Sequence, residues 1–166
     1  MRKQVYSFPN IEPWPGVETS QWLDWKWQFR NRITRLETLK EYMPVTNEEE
    51  KAFQAAGKNL PFAVTPYYLD LVKPCDVNDP IRKTVIPRIA EFTTSREEMI
   101  DPCGEDHDMV APGLVHRYPD RVLFLVNETC SVYCRYCTRS RVVGSSRANL
   151  FASIAAGISA SVSRQA

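Results

Sequence analysis

Apolar side chains in the first two-thirds of the chain recur in short blocks that prolines interrupt, and all twelve prolines lie within the first 119 residues. Between residues 21 and 33 the apolar positions are spaced by three and four residues, which predicts one amphipathic helix with an aromatic face. These positions are Trp22, Trp25, Phe29 and Ile33. We interpret the face as ordinary core packing, and the alternative is a surface that stacks on a ligand.

Capping residues mark the starts of further short helices. Thr46 followed by Glu49 forms a capping box, which predicts a helix through residue 56 that ends at Gly57. At Thr65 and Asp79 a capping residue precedes a proline at the first helical position. The predicted short helices cover residues 36–42, 47–56, 66–72 and 80–86.

A short apolar run follows the last proline. The run from Arg121 to Asn127 is rich in β-branched and long aliphatic side chains, and turn residues bound it on both sides. Such a run predicts a strand that is buried on both faces, as in a parallel sheet. The cysteines that begin three residues beyond it would then lie at the carboxyl end of the strand, where parallel α/β folds bind ligands.

Composition narrows the classes of partner. The 166 residues are enough for roughly one domain with a core. Lys and Arg number 21 against 20 Asp and Glu, and the net charge of +1 argues against nucleic acid or an acidic membrane as the main partner. No stretch approaches the roughly 20 apolar residues that span a bilayer. We therefore expect a cytoplasmic protein with no membrane partner and no nucleic-acid partner.

Three of the five cysteines lie within eight residues. Cys130, Cys134 and Cys137 have the spacing C-x3-C-x2-C. Three thiolates in one loop can hold three corners of a cubane iron–sulfur cluster and leave the fourth iron open to a small chelating molecule. Zinc is an alternative, although structural zinc sites usually close with four ligands. Buried thiols that hold no metal are the third possibility, and the spacing favours the iron–sulfur cluster.

Several ordered motifs accompany the cysteine loop. They are Asp24–Gln28, Thr65–Tyr68, Asp79–Lys83, Val85–Pro87, Pro112–Val122 and Cys130–Arg141. Together, over residues 20 to 144, they resemble the N-terminal part of lysine 2,3-aminomutase and its relatives in the radical S-adenosylmethionine superfamily. The resemblance implies an α/β fold: N-terminal short helices, then the first strand and cluster loop of a partial (βα) barrel, which is truncated here.

The resemblance also implies cofactors and partners. Cys130, Cys134 and Cys137 would hold a [4Fe-4S] cluster, S-adenosylmethionine would chelate its open iron, and pyridoxal phosphate would carry the migrating amino group. The activity implied is an isomerase reaction that moves an amino group between adjacent carbons of lysine or a related amino acid. A reductant such as ferredoxin or flavodoxin would supply the electron, and the resemblance allows a homo-oligomer for the full-length enzyme.

Five further residues match positions with family roles. Tyr136 matches a position near the adenine, and its alternative is loop packing. Arg117, Tyr118 and Arg121 match the segment that contacts pyridoxal phosphate, and the alternative for Arg121 is a surface charge. Arg139 matches the position that binds the substrate carboxylate, a bond that a guanidinium makes in bidentate fashion. Its alternative is a solvated basic face.

The pattern divides the chain into four parts. They are an extended arm at 1–19, a helical region at 20–118, the strand and cluster loop at 119–144, and a tail at 145–166. Twelve of the 22 tail residues are Ala or Ser and no family motif occurs there, so we hypothesise a frameshifted or truncated reading frame. Every lysine precedes the cysteine loop, and the family's Schiff-base lysine is absent. We therefore assign no catalytic residue and expect the chain alone to be inactive; the alternative function is a non-catalytic metal-binding or interaction module.

Overall fold

The computed structural model describes residues 12–56 and 61–144. The chain divides into two compact units. One, here called the helical unit, comprises the described residues up to Glu91 together with Ser131–Arg135. The other, here called the sheet unit, comprises Phe92–Cys130 and the described residues from Tyr136 onward. Most of the predicted arm and the whole predicted tail lie outside the described residues.

Short helices dominate the helical unit. Within the described residues the α-helices are α1 Thr19–Trp22, α2 Trp25–Arg30, α3 Leu36–Tyr42, α4 Asn47–Ala56, α5 Pro66–Asp70 and α6 Pro80–Val85. A 3₁₀ turn follows at Ile89–Phe92. None of the helices among these residues is long and apolar enough to cross a membrane.

The prediction of a single helix over residues 21–33 is wrong. The helix breaks after Trp22, and the side chain of Asp24 accepts a hydrogen bond from the backbone N–H of Lys26 at 3.0 Å, which starts a second helix. Trp22 is therefore 2% exposed while Trp25 is 70% exposed. Ile33 is buried outside either helix. The continuous aromatic face expected from the spacing does not form.

The capping signals are confirmed. The N–H of Thr46 donates to the Glu49 carboxylate at 2.8 Å, and the N–H of Glu49 donates to the Thr46 hydroxyl at 3.2 Å. The side chains of Thr65 and Asp79 each accept from the backbone N–H three residues later, at 3.4 and 2.8 Å. The two helices that begin with proline end one or two residues before their predicted ends. Gly57, the predicted end of α4, lies outside the described residues.

The core of the helical unit gathers side chains from helices and connecting segments. Ile33 and Val64 pair in an isolated antiparallel bridge, with N–H to O distances of 2.8 and 3.0 Å. This bridge holds two connecting segments against the helices, so that apolar side chains from both contribute to one cluster. The buried cluster comprises Ile33, Leu39, Met43, Phe62, Val64, Leu69, Val72, Val85 and Ile86.

A three-stranded antiparallel sheet forms the regular part of the sheet unit. Its strands are β1 Met109–Ala111, β2 Leu114–Tyr118 and β3 Arg121–Phe124, in that order across the sheet. Gly113 turns the chain between β1 and β2 with φ +75°. Both β1 and β2 fall where we expected a helical region.

The prediction of a parallel strand buried on both faces is wrong. Residues 121–124 do form a strand, but all four are exposed and the strand runs antiparallel to β2. Only two residues, Pro119 and Asp120, connect β2 to β3. A connection this short joins antiparallel strands, whereas a parallel crossover takes a dozen residues or more.

Candidate functional site

A cavity of about 340 Å³ in the sheet unit brings together four predicted site residues. They are Arg117, Tyr118, Arg121 and Arg139. Cys103, Glu105 and apolar side chains of β2 and β3 complete its wall. Its volume falls within the range of pockets that hold small molecules.

The β2–β3 hairpin places three of these side chains at one end of the sheet. Tyr118 at the end of β2 pairs with Arg121 at the start of β3, and the Arg121 guanidinium lies 4.5 Å from the Tyr118 ring centre. The pairing register shifts between Val115 and Tyr118. Such a shift interrupts the alternation of side chains between the two faces of a strand, so that neighbours in sequence can line one cavity. Arg117 and Tyr118, adjacent in sequence, both line it.

Arg139 is held by a buried carboxylate. Its Nε and Nη2 donate to Oε1 of Glu105 at 2.9 and 2.6 Å, and Glu105 is 5% exposed. The hydrogen bond to the Glu105 carboxylate raises the pKa of Arg139 against the opposing effect of burial, so the guanidinium keeps its charge. Arg139 thus already bonds through Nε and Nη2 to a carboxylate of the protein.

Arg117 is held in a similar way by Asp108. Its Nε donates to Asp108 Oδ2 at 2.7 Å. Hydrogen bonds with His107 and then with Arg117 lower the pKa of Asp108, so its carboxylate is ionised. Gly104 adopts φ +63°, and a Cβ at that position would lie 2.7 Å from Arg117 Nη2. The positive φ favours glycine there, whereas the guanidinium is the end of a flexible side chain that can shift away from a Cβ.

The carboxylates that hold these arginines come from one segment, residues 101–108, here called the acidic segment. The Oδ1 atoms of Asp101 and Asp106 in this segment lie 3.2 and 3.0 Å from Nη2 of Arg141. We predicted no role for Arg141 from the sequence. A backbone hydrogen bond from Asp106 is the main cause that lowers the pKa of Asp101. We did not predict the acidic segment as part of the site. Its signal in the sequence is four acidic residues in eight, complementary to three arginines at 135–141.

The middle of the cysteine loop belongs to the helical unit. The N–H of Tyr133 donates to the carbonyl of Ala63, and the N–H of Arg135 donates to the carbonyl of Thr84, each at 2.8 Å. The buried Arg135 guanidinium also binds Glu91, with Nη2 to Oε2 at 2.5 Å. These contacts attach residues 131–135 to the unit that carries the helices.

None of the five cysteines forms a disulfide, and Cys134 and Cys137 are half-buried while Cys130 is exposed. Reduced thiols have the donor chemistry that an iron–sulfur cluster or zinc needs. Across residues 12–56 and 61–144, no three metal-binding side chains lie together as a metal site. Tyr136 is 71% exposed and does not line the cavity of the arginines. The structure thus brings together in one cavity the residues predicted for phosphate and carboxylate.

Comparison with known proteins places the sequence among the aminomutases. The chain is 50% identical over 135 residues to L-lysine 2,3-aminomutase of Clostridium subterminale, covering 81% of this chain and 32% of that protein. It is 42% identical over 134 residues to L-lysine 2,3-aminomutase of Bacillus subtilis, with shares of 81% and 28%. Glutamate 2,3-aminomutase of Clostridioides difficile is 38% identical over 129 residues, with shares of 78% and 30%.

No protein-family model matches the chain. The chain spans about a third of the length of the curated relatives that it matches. The matched relatives are amino-acid 2,3-aminomutases, and this is the class of protein that the chain resembles. Within that class the chain is a lysine 2,3-aminomutase-like sequence, as the resemblance of its motifs predicted.

Proposed function

We propose that this chain is part of a radical S-adenosylmethionine enzyme, dependent on pyridoxal phosphate, that moves an amino group between adjacent carbons of lysine or a related amino acid. The observation that carries the proposal is the single cavity that contains Arg117, Tyr118, Arg121 and Arg139. The names of the relatives support the reaction class and the amino-acid substrate. We also propose that the enzyme is located in the cytoplasm and receives its electron from a ferredoxin-like or flavodoxin-like reductant.

The cavity fits a small anionic ring compound. Its three arginines outnumber its one carboxylate, Glu105, and the apolar side chains of β2 and β3 offer a surface for a ring. We assign Arg117, Arg121 and Tyr118 to the phosphate of pyridoxal phosphate, and Arg139 to the carboxylate of the amino acid. The guanidinium group suits both anions because its donors match their oxygens in pairs. When bound, pyridoxal phosphate supplies an electron sink for chemistry at the amino-bearing carbon.

We assign the [4Fe-4S] cluster to Cys130, Cys134 and Cys137, and the neighbourhood of the S-adenosylmethionine adenine to Tyr136. The donor set supports this assignment, since three thiolates satisfy three irons and leave one open. When loaded, the cluster supplies the electron for reductive cleavage of S-adenosylmethionine. The protein's part is to present the three thiolates in one loop.

We propose no activity for these 166 residues alone. No lysine follows the cysteine loop, so no residue here matches the Schiff-base lysine of the family. A partial (βα) barrel remains part of the proposal for a longer chain. The exposed apolar side chains of β3 support a further covering layer.

Anaerobic reconstitution tests the cluster. We expect about four irons and four sulfides per chain, from the composition of a cubane cluster. Changing Cys130, Cys134 or Cys137 to Ala should lower the iron content sharply, because each supplies one of three protein ligands. Cys75→Ala and Cys103→Ala are the matched controls and should keep the iron. Tightly bound zinc without sulfide would contradict the proposal and favour the non-catalytic metal-binding module, and loss of iron in Cys103→Ala would indicate a closed site of four ligands.

A further inference from the structure

Two arginines of the cavity are each held at the Nε side by the acidic segment. Arg139 donates from Nε and Nη2 to Glu105, at 2.9 and 2.6 Å. Arg117 donates from Nε to Asp108 at 2.7 Å. Glu105 and Asp108 are three residues apart in the chain. One short segment therefore orients both side chains.

The shape of the guanidinium group determines which of its donors stay available to a ligand. The group carries five N–H donors in one plane. A carboxylate at the Nε side restrains rotation of the group and leaves donors on the terminal nitrogens for another acceptor. An arginine that is already restrained loses less side-chain entropy when it binds an anion than a mobile one does.

We propose that Glu105 and Asp108 are positioning residues, which hold Arg139 and Arg117 so that their terminal nitrogens receive a carboxylate and a phosphate in the cavity. This inference rests on the proposed function, since that function assigns those two anions to these two arginines.

Contacts around the acidic segment keep the two carboxylates in place. Glu105 is buried, and Nη2 of Arg141 lies 3.6 Å from its Oε2. The same Nη2 binds Asp106 and contacts Asp101, so three acidic side chains of the segment share one cation. The side chain of Asp106 is largely exposed, whereas those of Asp101 and Glu105 are mostly buried. The segment is thus attached to the sheet unit independently of Arg139 and Arg117.

The opposite role for Glu105 is that of a competitor. A carboxylate on Arg139 occupies donors that a substrate carboxylate would also use. The two roles predict opposite effects on the binding of a carboxylate ligand. Removing a competitor strengthens binding of a carboxylate ligand, whereas removing a positioning residue weakens it.

The test uses the 166-residue chain and two probes in isothermal titration calorimetry. L-lysine carries the carboxylate, and pyridoxine 5′-phosphate carries the ring and phosphate without the aldehyde that reacts with surface lysines. We expect Glu105→Gln to weaken binding of L-lysine about tenfold, the scale of a hydrogen bond between charged groups, with little effect on pyridoxine 5′-phosphate. Asp108→Asn should have the reverse pattern. Glu105→Asp keeps the charge but shortens the side chain, and it should also weaken L-lysine if position matters.

Glu98→Gln is the matched control, because Glu98 is an exposed carboxylate of the same unit, and it should bind both probes as the wild type does. A variant that has lost its fold binds both probes poorly, so the crossed pattern cannot come from unfolding. The positioning roles would be overturned by equal losses for both probes, by unchanged binding, or by tighter binding of L-lysine to Glu105→Gln. In each of these cases, binding of the probes by the wild type would still uphold the proposed function. If the wild type binds neither probe, the assigned roles of the two arginines and the inference fall together.

Discussion

Arg82 connects four parts of the helical unit through one buried guanidinium. It binds both oxygens of Glu49 on α4, with Nε to Oε1 at 2.8 Å and Nη2 to Oε2 at 2.7 Å. Nη2 also donates to the carbonyl of Pro44 at 3.0 Å, and Nη1 donates to that of Pro74. Because the Glu49 carboxylate is buried together with the Arg82 guanidinium, each charge depends on the other as its partner, and the two carbonyls accept further N–H groups of Arg82.

The first prediction concerns this cation. Arg82→Met leaves the Glu49 carboxylate buried without its partner, and we expect the free energy of unfolding to fall by about 3–5 kcal/mol. The matched control is Lys83→Met, an exposed cation next in the same helix, which should change the free energy by less than about 0.5 kcal/mol. Chemical denaturation of both variants measures the difference. Equal effects of the two substitutions would contradict the role of Arg82.

The second prediction concerns Glu49 and pH. Burial raises the pKa of Glu49, but hydrogen bonds with Arg82 and Thr46 outweigh burial, so the pKa lies below its ordinary value of 4.5. A carboxyl group with a lowered pKa in the folded state contributes stability above its unfolded pKa and loses that contribution as the pH falls through the folded pKa. We expect the free energy of unfolding to decrease as the pH falls below 4.5, and to decrease less in Glu49→Gln.

Denaturant titrations at several pH values below and above 4.5 measure this dependence. Glu48→Gln removes an exposed carboxylate from the neighbouring position of the same helix and should keep the wild-type pH dependence. If Glu49→Gln followed the wild-type profile, the acid sensitivity would have another source.

At the scale of the elements, β3 is an exposed edge of the sheet. It pairs with β2, and no other strand of the described residues lies on its far side. Val122, Leu123 and Phe124 expose large apolar side chains along this edge. Edge strands with exposed apolar side chains readily pair with other chains.

The third prediction is that Phe124→Lys reduces self-association. A charge on an edge strand disfavours pairing with a second chain, and Phe124 does not line the cavity. Light scattering as a function of protein concentration measures the effect. Ile100→Lys adds the same charge at an exposed apolar position outside the sheet, and it should have the smaller effect. Equal effects of the two variants would point to net charge as the cause instead of the edge.

At the scale of the whole molecule, each compact unit is held together by contacts that are distant in sequence. Glu49 and Arg82 are 33 residues apart, and Glu105 and Arg139 are 34 residues apart. Residues 131–135 join the helical unit through hydrogen bonds with Ala63 and Thr84. The sequence showed acidic and basic side chains at these positions but did not show how they pair.

Local interactions made the helix starts predictable. A capping side chain bonds to a backbone N–H only two or three residues away, so Thr46, Thr65 and Asp79 identify their helices without knowledge of the rest of the fold. The same locality explains an error, since Asp24 starts a second helix inside a stretch whose apolar spacing predicts one. Where a capping residue and the spacing of apolar side chains predict different helices, the spacing alone does not show which of the two signals prevails.

Spacing and order along the chain were enough to identify the cysteine motif, the family resemblance and four side chains of one cavity. The partners of those side chains depended on tertiary structure. The pairing of Tyr118 with Arg121 across the hairpin, and the pairing of Arg139 with Glu105, arise from strand pairing and loop packing. Many pairings of the acidic and basic residues satisfy the same local rules. The energy of an ion pair depends on the distance between the charges in space and on their burial, and the order of the residues alone determines neither.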